Sequence, residues 1–193
     1  MAGFYDRMAF FYDLFVWGAE RRYREVKTEA FSAAEGKTLL VGAGTGMDFP
    51  FLPEGLEITG IDISPAMLKR AEKRSRSYQG KMKLVEENIE TTGFEDDSFD
   101  TVITSCVFCS VRDPLRGLSE IRRILKPGGR LIMFEHMLSG NPLFKPMLYW
   151  MNVLVPFGPS FTRKTVENVK KAGFDIVREK NVYMDIVRHI EAV

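Results

Sequence analysis

The segment LLVGAGTG, residues 39–46, joins a short apolar run to a turn that carries three glycines. The run at 38–41 has the length and composition of a buried strand, and the glycines let the backbone bend sharply while leaving room for a ligand. Asp62 follows the next predicted strand, at 56–61, twenty positions after Gly42. Because open parallel sheets bind ligands at the carboxyl ends of their strands, we expect the loop and this carboxylate to line one crevice.

Strand-like runs alternate with helical patterns along the rest of the chain. Ser64 and Asp113, each followed by proline, are typical helix N-caps. Further strands are predicted at 81–85, 100–106, 130–134, 174–178 and 182–190, and helices at 66–75, 115–125 (stopped by KPGG at 126–129) and 162–172. The alternation predicts an α/β fold with a Rossmann-like, doubly wound, mostly parallel seven-stranded sheet and an antiparallel last strand. The last two strands are expected to turn at Lys180-Asn181.

Composition limits the class of protein. A chain of 193 residues, 45% of them hydrophobic, suits one domain at 1–193. A net charge of +1 argues against a nucleic-acid partner, since such binding needs a basic excess. Cys106 and Cys109 lack a second pair to complete a zinc site, so no metal is predicted. Arg7 and Asp13 interrupt the apolar start, which argues against a signal peptide and predicts a cytoplasmic location.

The glycine loop favours a nucleoside without phosphates. Met47 stands where a dinucleotide-binding loop has its third glycine, and no lysine follows to bind phosphate. A ribose-binding acid beside such a loop suits a nucleoside with an amino-acid tail, which is S-adenosylmethionine. A purely structural turn and a nicotinamide-dependent oxidoreductase are alternatives at this point.

Four segments resemble the class I S-adenosylmethionine-dependent methyltransferases over nearly the whole chain: LLVGAGTG at 39–46, GIDISPAMLKRA at 60–71, ENIETTGFEDDSFDTVITS at 87–105 and EIRRILKPGGRLIMFEH at 120–136. The resemblance implies S-adenosylmethionine as cofactor and assigns its contacts by position. These are Gly42, Ala43, Gly44 and Gly46 for the methionine part, Asp62 for the ribose, Ile63 and Met67 beside the adenine, Asn88 and Ile89 at its edge, and Ser105 and Cys106 along the methionine tail. Leu40 departs from the family, which usually carries an acid there to hold the ligand's ammonium group.

Two aromatic-rich segments, at 1–17 and 142–161, favour a lipophilic acceptor, and charges or prolines make both unfit to span a membrane. Within the family, the Tyr5-Asp6 and Tyr12-Asp13 pairs resemble the start of quinone C- and phospholipid N-methyltransferases, and 107–136 resembles membrane-associated thiol S-methyltransferases. The resemblance implies methyl transfer to a small lipophilic or lipid-bound acceptor, a phospholipid amine or a thiol.

The same segments predict where that acceptor binds. Residues 1–30 are expected to form an aromatic helical lid, and 139–161 an insertion that faces the acceptor or makes peripheral contact with the inner face of a membrane. Tyr12, Tyr149 and Trp150 are the predicted acceptor-binding residues.

Three residues are candidates for catalysis. Glu135-His136 ends the fifth strand, at the same rim as the glycine loop, and an imidazole can take a proton from an ammonium or a thiol near neutral pH. Tyr5 shares a helical face with Tyr12, seven residues on, where its ring can bound a cation. The alternatives are a packed, structural His136, a capping or orienting Glu135, and a face of the first helix on which Tyr5 and Tyr12 only pack into the core. Leu40 favours a rival function, a catalytically silent scaffold or sensor that binds S-adenosylmethionine.

Overall fold

A computed structural model of the protein describes residues 2–154 and 159–193. The strands in these residues are β1 (Lys37–Val41), β2 (Glu57–Asp62), β3 (Lys81–Glu86), β4 (Phe99–Ser105), β5 (Leu125–His136), β6 (Ile176–Tyr183) and β7 (Val187–Ala192). They form one sheet in the order β3-β2-β1-β4-β5-β7-β6, in which β7 is antiparallel to both its neighbours and every other pair is parallel. The predicted Rossmann-like sheet with an antiparallel last strand is confirmed.

Helices cover both faces of this sheet. They are α1 (Ala2–Phe31), α2 (Pro65–Ser75), α3 (Pro114–Ile124), α4 (Lys145–Leu154) and α5 (Thr165–Lys171). Side chains alternate along a strand, so Leu40 packs into a core shared with α1 and α2, while Leu39 packs into a core shared with α3 and α5. The result is the three-layer, doubly wound arrangement that the alternation of elements predicts.

Both predicted helix caps are present. The Ser64 hydroxyl accepts a hydrogen bond from the backbone N–H of Met67 at 3.2 Å, and the Asp113 carboxylate accepts one from the backbone N–H of Arg116 at 3.1 Å. The first of these caps starts α2 immediately after β2. The amino end of α2 therefore lies beside Asp62, at the rim where the glycine loop emerges.

The KPGG at 126–129 follows the end of α3 at Ile124, as predicted, but the next strand begins before the predicted position 130. Leu125 already pairs with Phe99, and the register resumes at Arg130, opposite Thr101. These residues form a bulge inside β5. The hairpin turn lies at 184–186 rather than at Lys180-Asn181.

The hairpin turn is displaced because residues beyond the predicted position take up the left-handed conformation. Met184 and Asp185 have φ angles of 49° and 58°, and the Asn181 side chain accepts a hydrogen bond from the backbone N–H of Asp185 at 3.0 Å. Asn181 thus supports the turn from within β6. Asparagine is a common turn residue, which is why the sequence predicts the turn at Asn181 itself.

The segment between β5 and α5 also differs from its prediction. The helix expected from Thr162 begins at Thr165, because the Thr162 hydroxyl is occupied as acceptor of a hydrogen bond from the Asn152 amide at 2.7 Å. The proline-rich stretch before it contains α4, in which Pro146 takes a place in the first turn where a helix tolerates proline. Within residues 2–154 and 159–193, no helix has the length and apolar character needed to cross a membrane.

Candidate active site

The loop after β1 bends at its glycines. Gly42 and Gly46 have φ angles of 69° and 83°, in the left-handed region that favours glycine. A Cβ on Gly42 would lie 2.3 Å from Cγ2 of Val107, and one on Gly46 would lie 2.7 Å from the ring of Phe49. The loop is thus pressed against the turn that follows β4, and a larger residue at Gly42 would displace that turn.

Asp62 joins this loop to α2. Its carboxylate accepts hydrogen bonds from the backbone N–H groups of Gly44 and Ser64, both at 2.9 Å. Burial raises the pKa of Asp62, and these N–H groups act in the opposite direction. Because each carboxylate oxygen has a second lone pair, Asp62 can also accept hydrogen bonds from the hydroxyls of a ligand.

A cavity of about 570 Å³ opens beside Asp62, within the range of small-molecule and cofactor sites. Most of the predicted cofactor residues line it, namely Gly42, Gly44, Asp62, Ile63, Met67, Asn88, Ile89, Ser105 and Cys106. Ala43 and Gly46 are not in its wall. They shape the loop instead, since the Ala43 N–H bonds to the Ile61 carbonyl and the Gly46 N–H to the Ala43 carbonyl.

The cavity wall carries more negative than positive side chains. It contains four carboxylates and one guanidinium, those of Asp62, Glu86, Glu87, Glu90 and Arg112. Like charges at short range repel, so a pyrophosphate would be disfavoured here, whereas a ligand that bears a sulfonium or an ammonium would be attracted.

One polar atom in this wall lacks a partner. The Ser105 hydroxyl is buried and makes no hydrogen bond to any described residue, and leaving such a group unsatisfied costs about 1–3 kcal/mol. A polar group of a bound ligand would remove that cost. Together with Asp62 and the open glycine loop, this hydroxyl makes the cavity a fit for the S-adenosylmethionine that the sequence predicts.

The turn after β4 forms part of the wall and is held by Glu135. Cys106 has a φ of 54°, an uncommon conformation for a residue other than glycine. The Glu135 carboxylate accepts hydrogen bonds from the Thr104 hydroxyl at 2.8 Å and from the N–H groups of Val107 at 3.0 Å and Phe108 at 3.1 Å. Burial nevertheless raises the pKa of Glu135 to about 7. Its side chain therefore shapes the cavity wall without being part of it.

The predicted base, His136, also lies outside the cavity wall. Alternation along β5 points it to the face opposite Glu135. Burial lowers the pKa of His136, and the nearby Lys27 lowers it further, so the imidazole is neutral, the form that accepts a proton. It makes no hydrogen bond to another described residue, and its role as a base stays a prediction.

Two tyrosines of α1 line the cavity, as their shared helical face predicts. The hydroxyls of Tyr5 and Ser110 share a hydrogen bond of 2.5 Å. The Tyr12 hydroxyl has no such partner among the described residues. Burial raises the pKa of Tyr5 to about 12 and also raises that of Tyr12, so both phenols are neutral and can donate a hydrogen bond.

The aspartates that follow these tyrosines fasten α1 over the site. Asp6 accepts a hydrogen bond from the Ser64 hydroxyl at 2.5 Å. Asp13 accepts one from the Thr45 hydroxyl at 2.5 Å and forms an ion pair with Arg74 at 2.7 Å. The role of these aspartates was not predicted from the sequence. The signal that could have shown it is their spacing of seven residues, which places both on one face of the helix.

A buried ion pair beneath the loop was not predicted. Lys27 is 2% exposed, and its Nζ lies 2.6 Å from Oδ1 of Asp48 and 5.3 Å from the centre of the Phe134 ring. Leu40, at the position of the family's acid, is buried in the apolar core. Asp48 is engaged with Lys27, and no acid replaces the missing one at that point of β1.

The other predicted acceptor residues lie apart from the cavity. Tyr149 and Trp150 are 56% and 68% exposed on α4 and are not part of the cavity wall. Of the predicted insertion at 139–161, residues 155–158 lie outside the described residues, as does Met1 of the predicted lid.

Comparison with known proteins points to one kind of enzyme. Residues 39–133 match the family model of the methyltransferase domain. The chain is 33% identical over 167 residues to the thiol S-methyltransferase TMT1B of Rattus norvegicus, covering 81% of this chain and 67% of that protein. It is 32% identical over 157 residues to the ubiquinone/menaquinone biosynthesis C-methyltransferase UbiE of a Geobacter species, covering 76% of this chain and 66% of that protein.

A solved structure has the same fold. A SAM-dependent methyltransferase of Thermotoga maritima superposes with a TM-score of 0.73 at 23% sequence identity, covering 100% of this chain and 99% of that one. The likeness extends over the whole sheet and both helical layers.

Proposed function

Because this chain belongs to the S-adenosylmethionine-dependent methyltransferases, we propose that it methylates a small lipophilic acceptor, a thiol or a phospholipid amine. It is an enzyme with S-adenosylmethionine as its cofactor, and the acceptor is the proposed part. The observation that carries the proposal is the set of apolar and aromatic side chains in the cavity wall, Tyr5, Tyr12, Val107 and Val111, which stand beside the charged Glu86, Glu87, Glu90 and Arg112. Aromatic and aliphatic side chains favour an apolar acceptor, because its burial releases water from both surfaces.

S-adenosylmethionine supplies a methyl group already activated on a sulfonium, so the protein has to bind, orient and exclude water. Positioning of this kind is worth about 7–11 kcal/mol. In the proposed assignment, Asp62 holds the ribose, Gly42 and Gly44 with the Ser105 hydroxyl hold the methionine part, and Ile63, Met67, Asn88 and Ile89 surround the adenine. Tyr5 and Tyr12 close the cavity from the side of α1 and keep water out.

We favour a thiol over an amine. The rat relative, 33% identical over 81% of this chain, is named a thiol S-methyltransferase. The thiol sulfur forms its bond to the methyl carbon as the bond from that carbon to the cofactor sulfur breaks, and the thiol proton passes to a base. His136 is the proposed base, and burial lowers its pKa and keeps it neutral; because it lies outside the cavity wall, it would take the proton through a bridging water.

The remaining predictions concern how the acceptor arrives. We propose that residues 1–30 act as the lid and 139–161 as the acceptor-facing insertion of one methyltransferase domain, 1–193. Tyr149 and Trp150, exposed outside the cavity, would meet the acceptor first. The enzyme would then work in the cytoplasm at the inner face of a membrane, where a lipophilic or lipid-bound acceptor is concentrated.

Transfer of a labelled methyl group tests the acceptor directly. The purified protein is incubated with methyl-labelled S-adenosylmethionine and either alkyl thiols or vesicles of phosphatidylethanolamine. We expect labelled thioether and, for His136→Asn, a lower kcat with unchanged affinity for S-adenosylhomocysteine. Label in the lipid amine alone would replace the thiol by the amine, and an unchanged kcat would remove His136 from the mechanism.

Leu40 favours the second candidate, a silent scaffold or sensor. It puts a buried apolar side chain where the family has an acid for the ligand's ammonium group. In that case calorimetry would detect binding of S-adenosylhomocysteine, while no acceptor of either class would take up label.

A further inference from the structure

The outward face of α4 is apolar, the reverse of a helix that faces water. Its inner side is held through Leu148, which is buried, and Asn152. Met147, Trp150 and Leu154 are exposed by 45%, 68% and 74%. Their spacing of three and four residues places them on one stripe along the helix, which we call the outer stripe.

Neighbouring side chains widen this surface. Val153 is 69% exposed beside the outer stripe, and Leu143, in the turn before α4, is 81% exposed. Apolar side chains scattered singly over a surface need no explanation, but a contiguous patch marks a site of interaction. The outer stripe and its two neighbours form such a patch.

Hydrogen bonds fix α4 with this patch turned outward. The Asn152 side chain accepts from the Phe161 N–H and donates to the Thr162 hydroxyl, both at 2.7 Å. Ser160, which precedes Phe161, donates its N–H to the Cys109 carbonyl at 2.7 Å. The outer stripe therefore cannot turn into the core without breaking these bonds.

The same contacts place α4 next to the mouth of the cavity. The turn that Ser160 holds continues into Ser110 and Val111, which line the cavity. Arg163 also donates a hydrogen bond from its guanidinium to the Val111 carbonyl at 2.8 Å. A partner that covers the outer stripe would therefore lie close to the cavity in which methyl transfer is proposed.

Charge around α4 identifies what covers it. Residues 136–167 carry three basic residues and one acidic residue, Lys145, Arg163, Lys164 and Glu167, and Lys164 forms an ion pair with Glu167 at 3.2 Å. A segment with a net positive charge is attracted to anionic lipid headgroups. Tryptophan and tyrosine, present at Trp150 and Tyr149, are the residues enriched where hydrocarbon meets water.

We propose that the outer stripe docks on the surface of an anionic lipid bilayer, with its apolar side chains at the level of the headgroups and Lys145 and Lys164 near lipid phosphates. Docked in this way, the enzyme presents the cavity mouth to the pool of lipophilic molecules in the bilayer. The inference rests on the proposed function for the choice of acceptor, whereas the binding itself does not depend on any acceptor.

Flotation with vesicles tests the docking without methyl transfer. The full chain is mixed with vesicles of phosphatidylcholine and phosphatidylglycerol, and the floating fraction is measured for the wild type and for Trp150→Ser/Leu154→Ser. The control is Leu115→Ser/Val177→Ser, which removes exposed apolar side chains from α3 and β6. Affinity for S-adenosylhomocysteine, equal in all three proteins, reports that each is folded.

We expect the wild type and the control to float, and the stripe variant to lose at least about tenfold in partition coefficient. Binding should weaken in high salt and on vesicles of phosphatidylcholine alone, because the charge contribution is screened or absent. The proposal is overturned if the wild type stays unbound, if both variants lose binding equally, or if the stripe variant floats as well as the wild type. It is also overturned if light scattering shows a wild-type dimer that the stripe variant dissociates, since a second copy then covers the stripe.

Discussion

The tip of α1 (residues 2–13) and α4 both carry aromatic side chains, yet the structure turns them in opposite directions. In the tip of α1, Tyr5 and Tyr12 line the cavity. In α4, Tyr149 and Trp150 are exposed and are not part of the cavity wall. Both segments are rich in aromatic side chains, so aromatic content does not decide which of them closes the site.

The difference lies in the polar residues that accompany the aromatic ones. Asp6 and Asp13 bind Ser64, Thr45 and Arg74, which belong to the glycine loop and α2. These bonds turn the tip of α1 inward. The polar contacts of α4 go through Asn152 to the segment that follows it, which leaves the apolar stripe outside. The direction of an aromatic helix is thus set by where its polar side chains find partners.

If the tip of α1 turns inward to cover a ligand, the cavity beneath it must bind that ligand. Asp62→Ala tests this binding and has the largest expected effect. The substitution removes a charged acceptor from two backbone N–H groups and from the proposed ribose contact, so we expect a loss of about 3 kcal/mol, or more than about 100-fold, in affinity for S-adenosylhomocysteine. Calorimetry measures it. Asp113→Ala, which removes a carboxylate cap from α3 outside the cavity, should change that affinity less than about twofold; equal losses would contradict the assignment.

The cavity that the tip of α1 covers should also make the stability of the protein depend on pH, through Glu135 of β5, which holds the turn after β4. Its folded-state pKa, about 7, lies above its ordinary value of 4.5, so between these values the folded protein holds a proton that the unfolded chain has lost. The stability from Glu135 therefore falls as pH rises through this window, by about 1.4 kcal/mol per pH unit.

Urea unfolding of the wild type and Glu135→Gln measures this effect. The difference in unfolding free energy should shrink by about 2 kcal/mol from about pH 5 to about pH 6.5. Glu120→Gln is the matched control, because hydrogen bonds from Arg123 lower the pKa of Glu120 to about 2 and keep it charged throughout. A constant difference for Glu135→Gln would show that its carboxylate stays ionised when buried.

Asp13→Ala asks whether the carboxylate holds the tip of α1 inward. The loss of its bonds to Thr45 and Arg74 should lower the unfolding free energy by about 1–2 kcal/mol and speed amide hydrogen exchange in residues 2–13. Asp96→Ala removes the exposed partner of Arg123 and should cost less than about 0.5 kcal/mol. If exchange in the tip is unchanged, the packing of the tyrosines, not the aspartate, orients the helix.

The smallest effect is expected in the outward region. Trp150→Ser/Leu154→Ser removes side chains that are already in water, so affinity for S-adenosylhomocysteine and unfolding free energy should stay within about 0.5 kcal/mol of the wild type. Calorimetry and urea unfolding check both. A large loss of cofactor affinity would mean that α4 supports the cavity. Both helices would then serve the site, and the difference between α1 and α4 would disappear.

The parts of the fold that follow from neighbouring residues were predictable. Ser64 and Asp113 start helices through bonds to residues three positions away, and the glycine loop with Asp62 follows from successive strand ends. The alternation of strands and helices predicted the mostly parallel sheet, although not the order of its strands. Such signals are local, so a single sequence contains them.

The parts that depend on distant partners were not predictable. The buried pair of Lys27 and Asp48 forms between a helix and a loop that are separate in the sequence, and a lysine in a helix ordinarily indicates a solvated face. The end of a strand suits Glu135 equally to an orienting role and to a reacting one, and only its three hydrogen bonds to the turn after β4 show that it orients this turn. Whether Tyr149 faces in or out depends on the contacts of Asn152, which no spacing reveals.

Gly18 has a consequence for how ligands reach the buried site. It lies within α1, and a Cβ there would meet no atom within 4 Å, so packing does not require glycine at this position. Glycine in the interior of a helix costs about 1 kcal/mol relative to alanine. The residues ahead of Gly18 can therefore unwind at lower cost than the part of α1 packed on the sheet, and their order depends on the bonds of Asp6 and Asp13. Opening the cavity from this side requires the rupture of those bonds and of the hydrogen bond between Tyr5 and Ser110, with the rest of the molecule left intact.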